Sequence, residues 1–429
     1  MQSSQVRPSA MPVGVALKCK AWSAGVVLVA SGMGPAQAVD GIWVGAGSEW
    51  TTGSNWSSTP LVPDGTATFT NNGAPTAVTI TNSTSIDTIE LTAAAPAYSF
   101  TVTNGVSFAI DNTINNSSPS LPNFAVNAGA TLTIGDNADV LIGSLSNGTA
   151  GGGTVVIGPT FPAAYLTMSP AASTTFSGSF SGEGSLEFAD TSATLTLTGA
   201  SNGGNIGTIG GDLTLCNCFG GGLTIDGGTL TVNGIFQGVV VTGGTLSVLN
   251  GGTLQDNLDL LVATAMVISG PGSSATVAGF TGVGIFGPAT LTIGDGGTLT
   301  SQSGAEIDAL FGGTPTATVS GPGSTWNIGG FGLAVGGGST GGLGALTVAN
   351  GGTVNVSGPM TIGDAIDGSS SALVTGAGSV VNVTGPLVIG DLCDCLVGTL
   401  TVADGGVVNA PGSTSIGSIS AWAASGARS

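Results

Sequence analysis

The sequence predicts an all-β protein built as a parallel β-helix, a solenoid of stacked short strands. A unit of about 50 residues recurs in the C-terminal half, and its three openers, Ser269–Ser274, Ser320–Thr325 and Thr375–Val380, share the pattern Ser/Thr-Gly-x-Gly-Ser. Between the openers, apolar and polar residues alternate over short runs rich in Val, Ile, Leu and Thr. Repeats of this length are typical of solenoids, whose units bury their apolar faces only by stacking on neighbours.

A second phrase recurs inside each unit, and it predicts how the chain turns. In each copy, Gly-Gly separates one short alternating run from the next. The copies are Leu291–Leu299, Leu346–Val354 and Leu400–Val408. Glycine accepts the positive φ of a corner, and the run forms a strand with one face inward. At about 22–25 residues per coil, one unit is two coils. We therefore expect the Gly-Gly corners to stack on one edge, with Leu346, Val348, Val354 and Val356 facing the core.

Residues 1–38 read as a signal peptide. Arg7, Lys18 and Lys20 precede the mostly apolar stretch Ala21–Gly34, which is shorter than the roughly 20 residues of a membrane span. Residues 36–38 form an Ala-x-Ala cleavage signal, so we expect the mature chain to begin at Val39 and to lie outside the cytoplasm. The alternative is an apolar N-terminal segment that is not cleaved.

The rest of the chain divides by composition. Residues 39–120 hold Trp43, Trp50 and Trp56 and are predicted to form an N-terminal β cap, because a solenoid needs its first coil covered. Two alternative roles are open for the three Trp side chains: structural burial, or stacking on sugars. Residues 121–418 are predicted to be the parallel β-helix repeats, and residues 419–429 an irregular tail.

The charge balance excludes several kinds of partner. The chain has 23 acidic residues, four cationic residues and no His, and it carries no positive side chain from Ala21 to Ala427. Such a chain repels phosphate, so nucleic acid is excluded as a partner. Without His or Lys in this span, Ser and Cys nucleophiles have no such base. A lyase likewise has no cationic side chain to neutralise the carboxylate of a uronate substrate.

Only carboxylate chemistry remains for catalysis, in the form of a two-carboxylate glycosidase. Four pairs are close in sequence: Asp364 with Asp367, Asp256 with Asp259, Glu306 with Asp308, and Glu183 with Glu187. We interpret each as a solvated pair, and so expect no catalytic, cofactor-binding or metal-binding residue. The recurring Ile-Gly-Asp leaves a calcium alternative open, since stacked coils would bring its carboxylates to one side; its members are Asp136, Asp295, Asp364 and Asp391. The other reading of this motif is an Asx-turn at a corner.

Four cysteines follow the leader, as two Cys-x-Cys pairs. The 177 residues between Cys216-Asn-Cys218 and Cys393-Asp-Cys395 correspond to on the order of 35 Å along a solenoid, too far for a cross-link. We expect each pair to form a local disulfide, and the metal-site alternative lacks His.

The signal peptide, the Trp-rich opening and the Gly-Gly-Thr-Leu-Thr-Val runs resemble the passenger regions of bacterial autotransporters, which belong to type V secretion. The unit from Ser320 through Trp326 to Val354 is similar to a repeat shared by such passengers. The resemblance covers roughly residues 39–418 and implies a right-handed parallel β-helix outside the outer membrane of a Gram-negative bacterium. Autotransporters also carry a C-terminal β-barrel translocator, and we expect it here to be encoded separately or missing.

These observations favour an exported, surface-displayed structural or adhesin-like repeat protein without catalysis or cofactors. Its expected partners are host or surface glycans or proteins. The alternative is a carboxylate-dependent polysaccharide hydrolase on the same scaffold, and a third reading is a calcium-stabilised surface-layer component.

Overall fold

The computed structural model describes residues 37–424, except 149–150, 161–163, 190–192, 199–204, 210–212, 217–221, 227–228, 233–237, 286, 310–311, 337–341, 364–368, 391–396 and 418–420. Contacts divide the chain into two units, Met1–Gln37 and Ala38–Ser429, and the fold given below is that of the second unit. The predicted signal peptide lies outside the described residues, apart from Gln37 and Ala38. The described residues contain no α-helix, and none of them forms a helix with the length and hydropathy of a membrane span.

The strands are short, and most have three to five residues. A single 3-10 turn, Gly53–Asn55, is found among the described residues. The strands of the N-terminal half are Gly41–Ile42 (β1), Thr66–Phe69 (β2), Ala77–Ile80 (β3), Thr84–Leu91 (β4), Ser99–Val102 (β5), Ser107–Asn116 (β6), Asn123–Val126 (β7), Thr131–Ile134 (β8), Asp139–Ile142 (β9), Ser144–Asn147 (β10), Thr154–Ile157 (β11), Tyr165–Met168 (β12), Thr174–Phe176 (β13), Ser179–Ser181 (β14), Ser185–Ala189 (β15), Thr194–Leu197 (β16), Asn205–Ile209 (β17), Leu213–Cys216 (β18), Gly222–Asp226 (β19), Thr229–Val232 (β20) and Gly238–Val241 (β21).

The strands of the C-terminal half follow the same spacing. They are Thr245–Leu249 (β22), Thr253–Asp256 (β23), Asp259–Val262 (β24), Ala265–Ser269 (β25), Ser274–Val277 (β26), Phe280–Val283 (β27), Thr290–Gly294 (β28), Thr298–Ser301 (β29), Gly304–Ile307 (β30), Thr316–Ser320 (β31), Thr325–Ile328 (β32), Leu333–Val335 (β33), Ala345–Ala349 (β34), Thr353–Val356 (β35), Met360–Ile362 (β36), Ser369–Thr375 (β37), Val380–Val383 (β38), Leu387–Ile389 (β39), Val397–Ala403 (β40), Val407–Asn409 (β41), Thr414–Ile416 (β42) and Ala421–Ala424 (β43).

The strands pair in parallel and form three stacks, so the predicted parallel β-solenoid is confirmed. Each coil contributes one strand to each stack. The first stack runs in steps of three from β8 to β41, the second from β9 to β42, and the third from β13 to β43, with β3, β5, β7 and β10 forming the N-terminal part of that third side. The long strands β4 and β6 bend to serve both the first and the second stack.

The register shows that the repeat unit is two coils, as the sequence predicts. Ser269 pairs with Gly294, and Gly294 pairs with Ser320, so the opener returns on every second coil. Coil length varies around this plan: Met266 lies 20 residues after its partner Leu246, whereas Leu346 lies 29 after its partner Ala317. In both cases the difference in length lies between strands, and the register within each strand pair is continuous.

Alternation along each strand places one row of side chains inside the coils. Leu346, Val348, Val354 and Val356 are all buried, which confirms their predicted inward direction. The glycine corners also stack on one edge. A methyl group on Gly351 would lie 3.5 Å from the Pro322 Cα of the coil below, and one on Gly323 would lie 3.5 Å from the Gly296 Cα.

The N-terminal end of this core is aromatic. Trp43, Trp50 and Trp56 are buried, with Trp56 in edge contact with both of the others at ring-centroid distances of 5.0 and 4.9 Å. Trp50 also packs edge-on against Phe108 at 5.0 Å. Structural burial is therefore the role of these three side chains, and the sugar-stacking alternative is wrong because none of the rings faces solvent.

The parallel pairing extends beyond the segment predicted as repeats. It includes β1, β2, β4 and β6, which lie within residues 39–120, so the predicted cap segment is itself part of the stack. At the other end, Ala421–Ala424 continues the third stack on β40, where an irregular tail was expected. A parallel ladder needs only backbone hydrogen bonds, so it continues where the repeated phrase has already ended.

Candidate functional site

The corners carry polar contacts that join one coil to the next. Asp295, Asn350 and Asp404 follow the third-stack strands β28, β34 and β40 and have φ of 51°, 51° and 50°, in the left-handed region. Each contacts the opener residue of a neighbouring coil: Ser269 Oγ donates to Asp295 Oδ2 at 2.9 Å, and Asn350 Nδ2 donates to Ser320 Oγ at 3.1 Å. Asp and Asn tolerate this backbone conformation, which explains the residue types there.

The Ser that follows Gly-x-Gly in each opener is buried and bridges two coils. Ser324 Oγ donates to Ser320 O at 2.7 Å within its own opener and accepts from Gly296 N at 3.1 Å on the neighbouring coil. Ser273 and Ser379 make the same two contacts. Hydrogen bonding at a buried corner thus explains why Ser recurs at this position of all three openers.

An asparagine ladder runs along the outer face of the first stack. Asn355 Nδ2 donates to Asn327 Oδ1 at 2.9 Å, Asn382 to Asn355 at 2.8 Å, and Asn409 to Asn382 at 2.8 Å. The four residues are register partners on successive coils. Sequence reasoning missed this ladder, although aligning the runs Trp326-Asn, Val354-Asn, Val381-Asn and Val408-Asn would have found it.

The Ile-Gly-Asp carboxylates that the structure describes are not brought together. Asp136 follows β8 of the first stack and accepts from Thr160 N at 2.7 Å, whereas Asp295 follows β28 of the third stack. The two residues therefore lie at different corners, and the predicted row of carboxylates on one side is wrong for them. Asp364 and Asp391 lie outside the described residues.

In two of the four carboxylate pairs, the two side chains differ in burial. Asp256 is buried and accepts from Leu258 N at 3.0 Å, whereas Asp259 is exposed and accepts from Phe280 N at 2.6 Å. Glu183 is exposed, and Glu187 lies half-buried on β15, where burial raises its pKa. The expectation of a solvated pair is wrong for Asp256, whose side chain replaces an inward apolar residue and binds backbone amides instead. Asp364 and Asp367 lie outside the described residues.

Glu306 and Asp308 form the most unusual pair. They are two residues apart at the end of β30, Glu306 half-buried and Asp308 only 1% exposed. Neither carboxyl oxygen of Asp308 has a hydrogen-bond partner. The expected solvated pair is wrong here too, because the next coil covers Asp308 at Gly342, where a methyl group would lie 2.8 Å from Asp308 Oδ2 and still closer to Oδ1.

The electrostatics of this pair follow from burial without a counter-charge. Burial, and then the neighbouring Asp308 carboxyl, raise the pKa of Glu306 from its ordinary value of 4.5 to about 7. The sequence holds no Lys, Arg or His between Ala21 and Ala427, so no side chain of the described coils offers a positive charge. We call Glu306 and Asp308 the β30 carboxylate pair.

The surface beside the β30 carboxylate pair is apolar. Gly304 lies between two aromatic residues: a methyl group on its Cα would lie 3.0 Å from Phe331 Cβ and 3.4 Å from Phe280 Cε2. Phe331 is 82% exposed, which makes it a large apolar side chain in full contact with solvent. Isolated exposed apolar residues are common, but this one, on the next coil, lies against Gly304, the first residue of the strand that carries the pair.

Other chemistry has little support in the described part of the chain. No group of three or more His, Cys, Asp or Glu side chains is placed there to hold a metal ion. Cys216 ends β18, but its side chain and the residues Cys218, Cys393 and Cys395 lie outside what the structure describes, so both local disulfides stay predictions.

An open apolar cavity of about 410 Å³ is found at the last coils. No carboxylate is among its lining residues. Its lining residues are Leu387, Ile389, Leu400, Val402, Gly406, Val407, Val408, Ala410, Thr414 and Ile416.

Comparison with protein families and with curated proteins finds no match. Among solved structures, the chain is similar to a fragment of TibA in its TibC-catalysed, hyper-glycosylated form. The identity is 16% and the TM-score 0.22, and the alignment covers 84% of this chain and 99% of that chain. At that TM-score no property of the fragment is carried over to this protein.

Proposed function

We propose that this protein is an exported, surface-displayed repeat protein with a structural or adhesin-like role, of the kind found in autotransporter passengers. The observation that carries the proposal is how the described coils use their polar side chains. The asparagine ladder, the buried opener Ser residues and the left-handed Asp and Asn corners all join one coil to the next. Such residues stiffen a stalk by joining its coils, which suits a structural or adhesin-like role.

The exposed side chain of Phe331, which lies beside Gly304 of β30, supplies a point of contact with a partner. Phe331 has no cover from the chain, and its neighbours Phe280 and Gly304 form a shallow apolar surface. Exposed aromatic side chains gain binding energy when a partner covers them, and aromatic residues are enriched at interfaces. Glycans and proteins are the partner classes that suit an uncharged, aromatic contact of this size.

The alternative of a carboxylate-dependent hydrolase rests on the β30 carboxylate pair. The pKa of Glu306, about 7, is that of a general acid at neutral pH. A glycosidase also needs a second carboxylate that reaches the sugar or the attacking water. Asp308 is buried beneath the next coil and offers no surface for either, so the geometry favours the non-catalytic role.

Residues 39–429 displayed on a heterologous translocator barrel test the proposed function. We expect the passenger to be degraded by added protease on intact cells and the cells to adhere to glycan- or protein-coated surfaces. Phe331→Ser should lower the adhesion several-fold without changing display or thermal stability, because the side chain makes no core contact. The matched control is Tyr165→Ser, which removes another exposed aromatic side chain, on β12.

Two results would contradict the proposal. One is a displayed passenger that adheres no better than the barrel alone. The other is release of reducing ends from a polysaccharide by the purified chain, lost in Glu306→Gln. The second result would establish the hydrolase in place of the adhesin.

A further inference from the structure

We propose that the β30 carboxylate pair is a divalent-cation site, with Ca²⁺ as its ligand, which ties the coil of β30 to the coil above it. The site goes beyond the proposed function, because a stalk or adhesin needs no metal ion. It is also distinct from the Ile-Gly-Asp carboxylates that the structure describes, because Asp136 and Asp295 follow strands of the first and third stacks.

The first support is the position of Asp308 in the stack. The register pairs Ile307 with Val335 and Val335 with Ile362, so Asp308 stands where the next coils have Gly336 and Gly363. Both glycines have positive φ, 64° and 79°, and turn the chain without a side chain. The residue directly after β27, β33, β36 and β39 is glycine, and only β30 is followed at that position by a carboxylate, so the glycine turn does not explain Asp308.

The second support is that Asp308 is buried with only the neighbouring Glu306 carboxyl beside it as a polar partner. A buried carboxylate normally accepts hydrogen bonds or pairs with a cation, because leaving it bare costs several kcal/mol. Asp308 N is used in the ladder, donating to Val283 O at 3.0 Å, but no amide or hydroxyl group donates to either carboxyl oxygen. Gly342 of the next coil leaves room for them, since any larger residue there would overlap the carboxyl group.

The third support is the charge of the whole chain. With no Lys, Arg or His between Ala21 and Ala427, no side chain can neutralise two adjacent carboxylates. A positive charge for the pair must come from solution. Ca²⁺ fits because it takes six to eight oxygen ligands in flexible geometry, and carboxylates, backbone carbonyls and water all serve. Half-buried Glu306 faces outward, which keeps part of the coordination sphere open to water.

Calorimetric titration of CaCl₂ into residues 39–429, after dialysis against EDTA, tests the site. We expect saturable binding with a dissociation constant on the order of 10⁻⁴–10⁻³ M, the range of extracellular calcium modules. Asp308→Asn and Glu306→Gln should each weaken it at least tenfold. Asp295→Asn, which removes an exposed carboxylate at another corner, is the matched control and should leave the binding unchanged.

Thermal unfolding distinguishes loss of the site from loss of the fold. In EDTA, Asp308→Asn should unfold no earlier than the unmodified chain, because it removes a bare buried charge. In 10 mM CaCl₂, the unmodified chain should gain thermal stability and Asp308→Asn should not. The proposal is overturned if the unmodified chain shows no saturable binding, or if Asp295→Asn lowers the affinity as much as Asp308→Asn. It is also overturned if CaCl₂ raises the unfolding temperature of Asp308→Asn and of the unmodified chain equally.

Discussion

Asn382 donates a hydrogen bond from Nδ2 to Oδ1 of Asn355 at 2.8 Å, across the boundary between two coils. The two residues are register partners on β38 and β35, and the same contact recurs above and below them. A row of identical amides can satisfy donor and acceptor in turn, so each interior member makes two such bonds and each end member makes one. This difference leads to the first prediction.

Asn355→Ala should destabilise the chain more than Asn409→Ala. The first change removes two side-chain hydrogen bonds and the second removes one. At about 0.5–1.5 kcal/mol net for each bond, we expect losses of about 1–3 and about 0.5–1.5 kcal/mol. Urea unfolding followed by circular dichroism measures both, and equal losses would show that the ladder does not contribute through its amide contacts.

Ser324→Ala should cost about 1–3 kcal/mol of unfolding free energy, because the buried hydroxyl makes two hydrogen bonds, one from the Gly296 amide and one to the Ser320 carbonyl. The matched control is Ser357→Ala, at an exposed position, with an expected change within about 0.5 kcal/mol. The same unfolding experiment compares the two. A Ser324→Ala chain as stable as the control would mean that the opener Ser does not bridge the coils.

Replacing Asn350 separates the backbone effect from the side-chain contact. At φ of 51°, Ala is strained by about 1–2 kcal/mol, whereas Gly is not. Both changes remove the exposed contact with Ser320. We therefore expect Asn350→Ala to lower the melting temperature clearly and Asn350→Gly to lower it little. If Gly were as damaging as Ala, the amide contact rather than the left-handed backbone would be what matters at this corner.

The raised pKa of Glu306 predicts a pH dependence of stability. Between its ordinary pKa of 4.5 and its folded value of about 7, the folded chain holds a proton that the unfolded chain has released. The contribution of Glu306 to the unfolding free energy should therefore be highest below pH 4.5. It should fall as the pH rises to about 7 and then level off. Burial raises the pKa of Asp111 and Glu187 as well, in the same direction.

Glu306→Gln isolates the contribution of this one carboxyl group. Measured in EDTA, the variant should lose the fall in stability nearest pH 7 and keep the part caused by Asp111 and Glu187. A variant with the same pH profile as the unmodified chain would show that Glu306 ionises normally in the folded state.

The architecture was predictable because its determinants are local and repeated. Alternation along Leu346–Val356 defines the inward face, and the glycine pairs mark the corners, so the stack follows from a short stretch of sequence. The extent of the stack was not predictable from the repeat, because β1, β2 and β43 lie outside the repeated phrases and still pair in parallel with their neighbours.

The polar contacts were less accessible to sequence reasoning, because they depend on which coil lies above which. Asn355 and Asn382 are 27 residues apart, and only the register brings them together. Asp308 resembles any other carboxylate in the sequence, and its burial depends on Gly342 in the next coil. Trp43, Trp50 and Trp56 were open to two readings because an aromatic cluster has the same composition inside a core as on a binding surface.

The parallel coil-to-coil register is the basis of the whole stack, and a disulfide cross-link measures it. In a chain with Ser at positions 216, 218, 393 and 395, we expect Asn355→Cys with Asn382→Cys to oxidise to a disulfide, because partners on adjacent coils lie about 4.8 Å apart. Asn355→Cys with Asn409→Cys spans two coils, about 9.6 Å, and should stay reduced. Mass spectrometry after proteolysis reads both outcomes. A cross-link in the second pair, or none in the first, would contradict the stacked-coil structure on which the proposed function and the β30 cation site both rest.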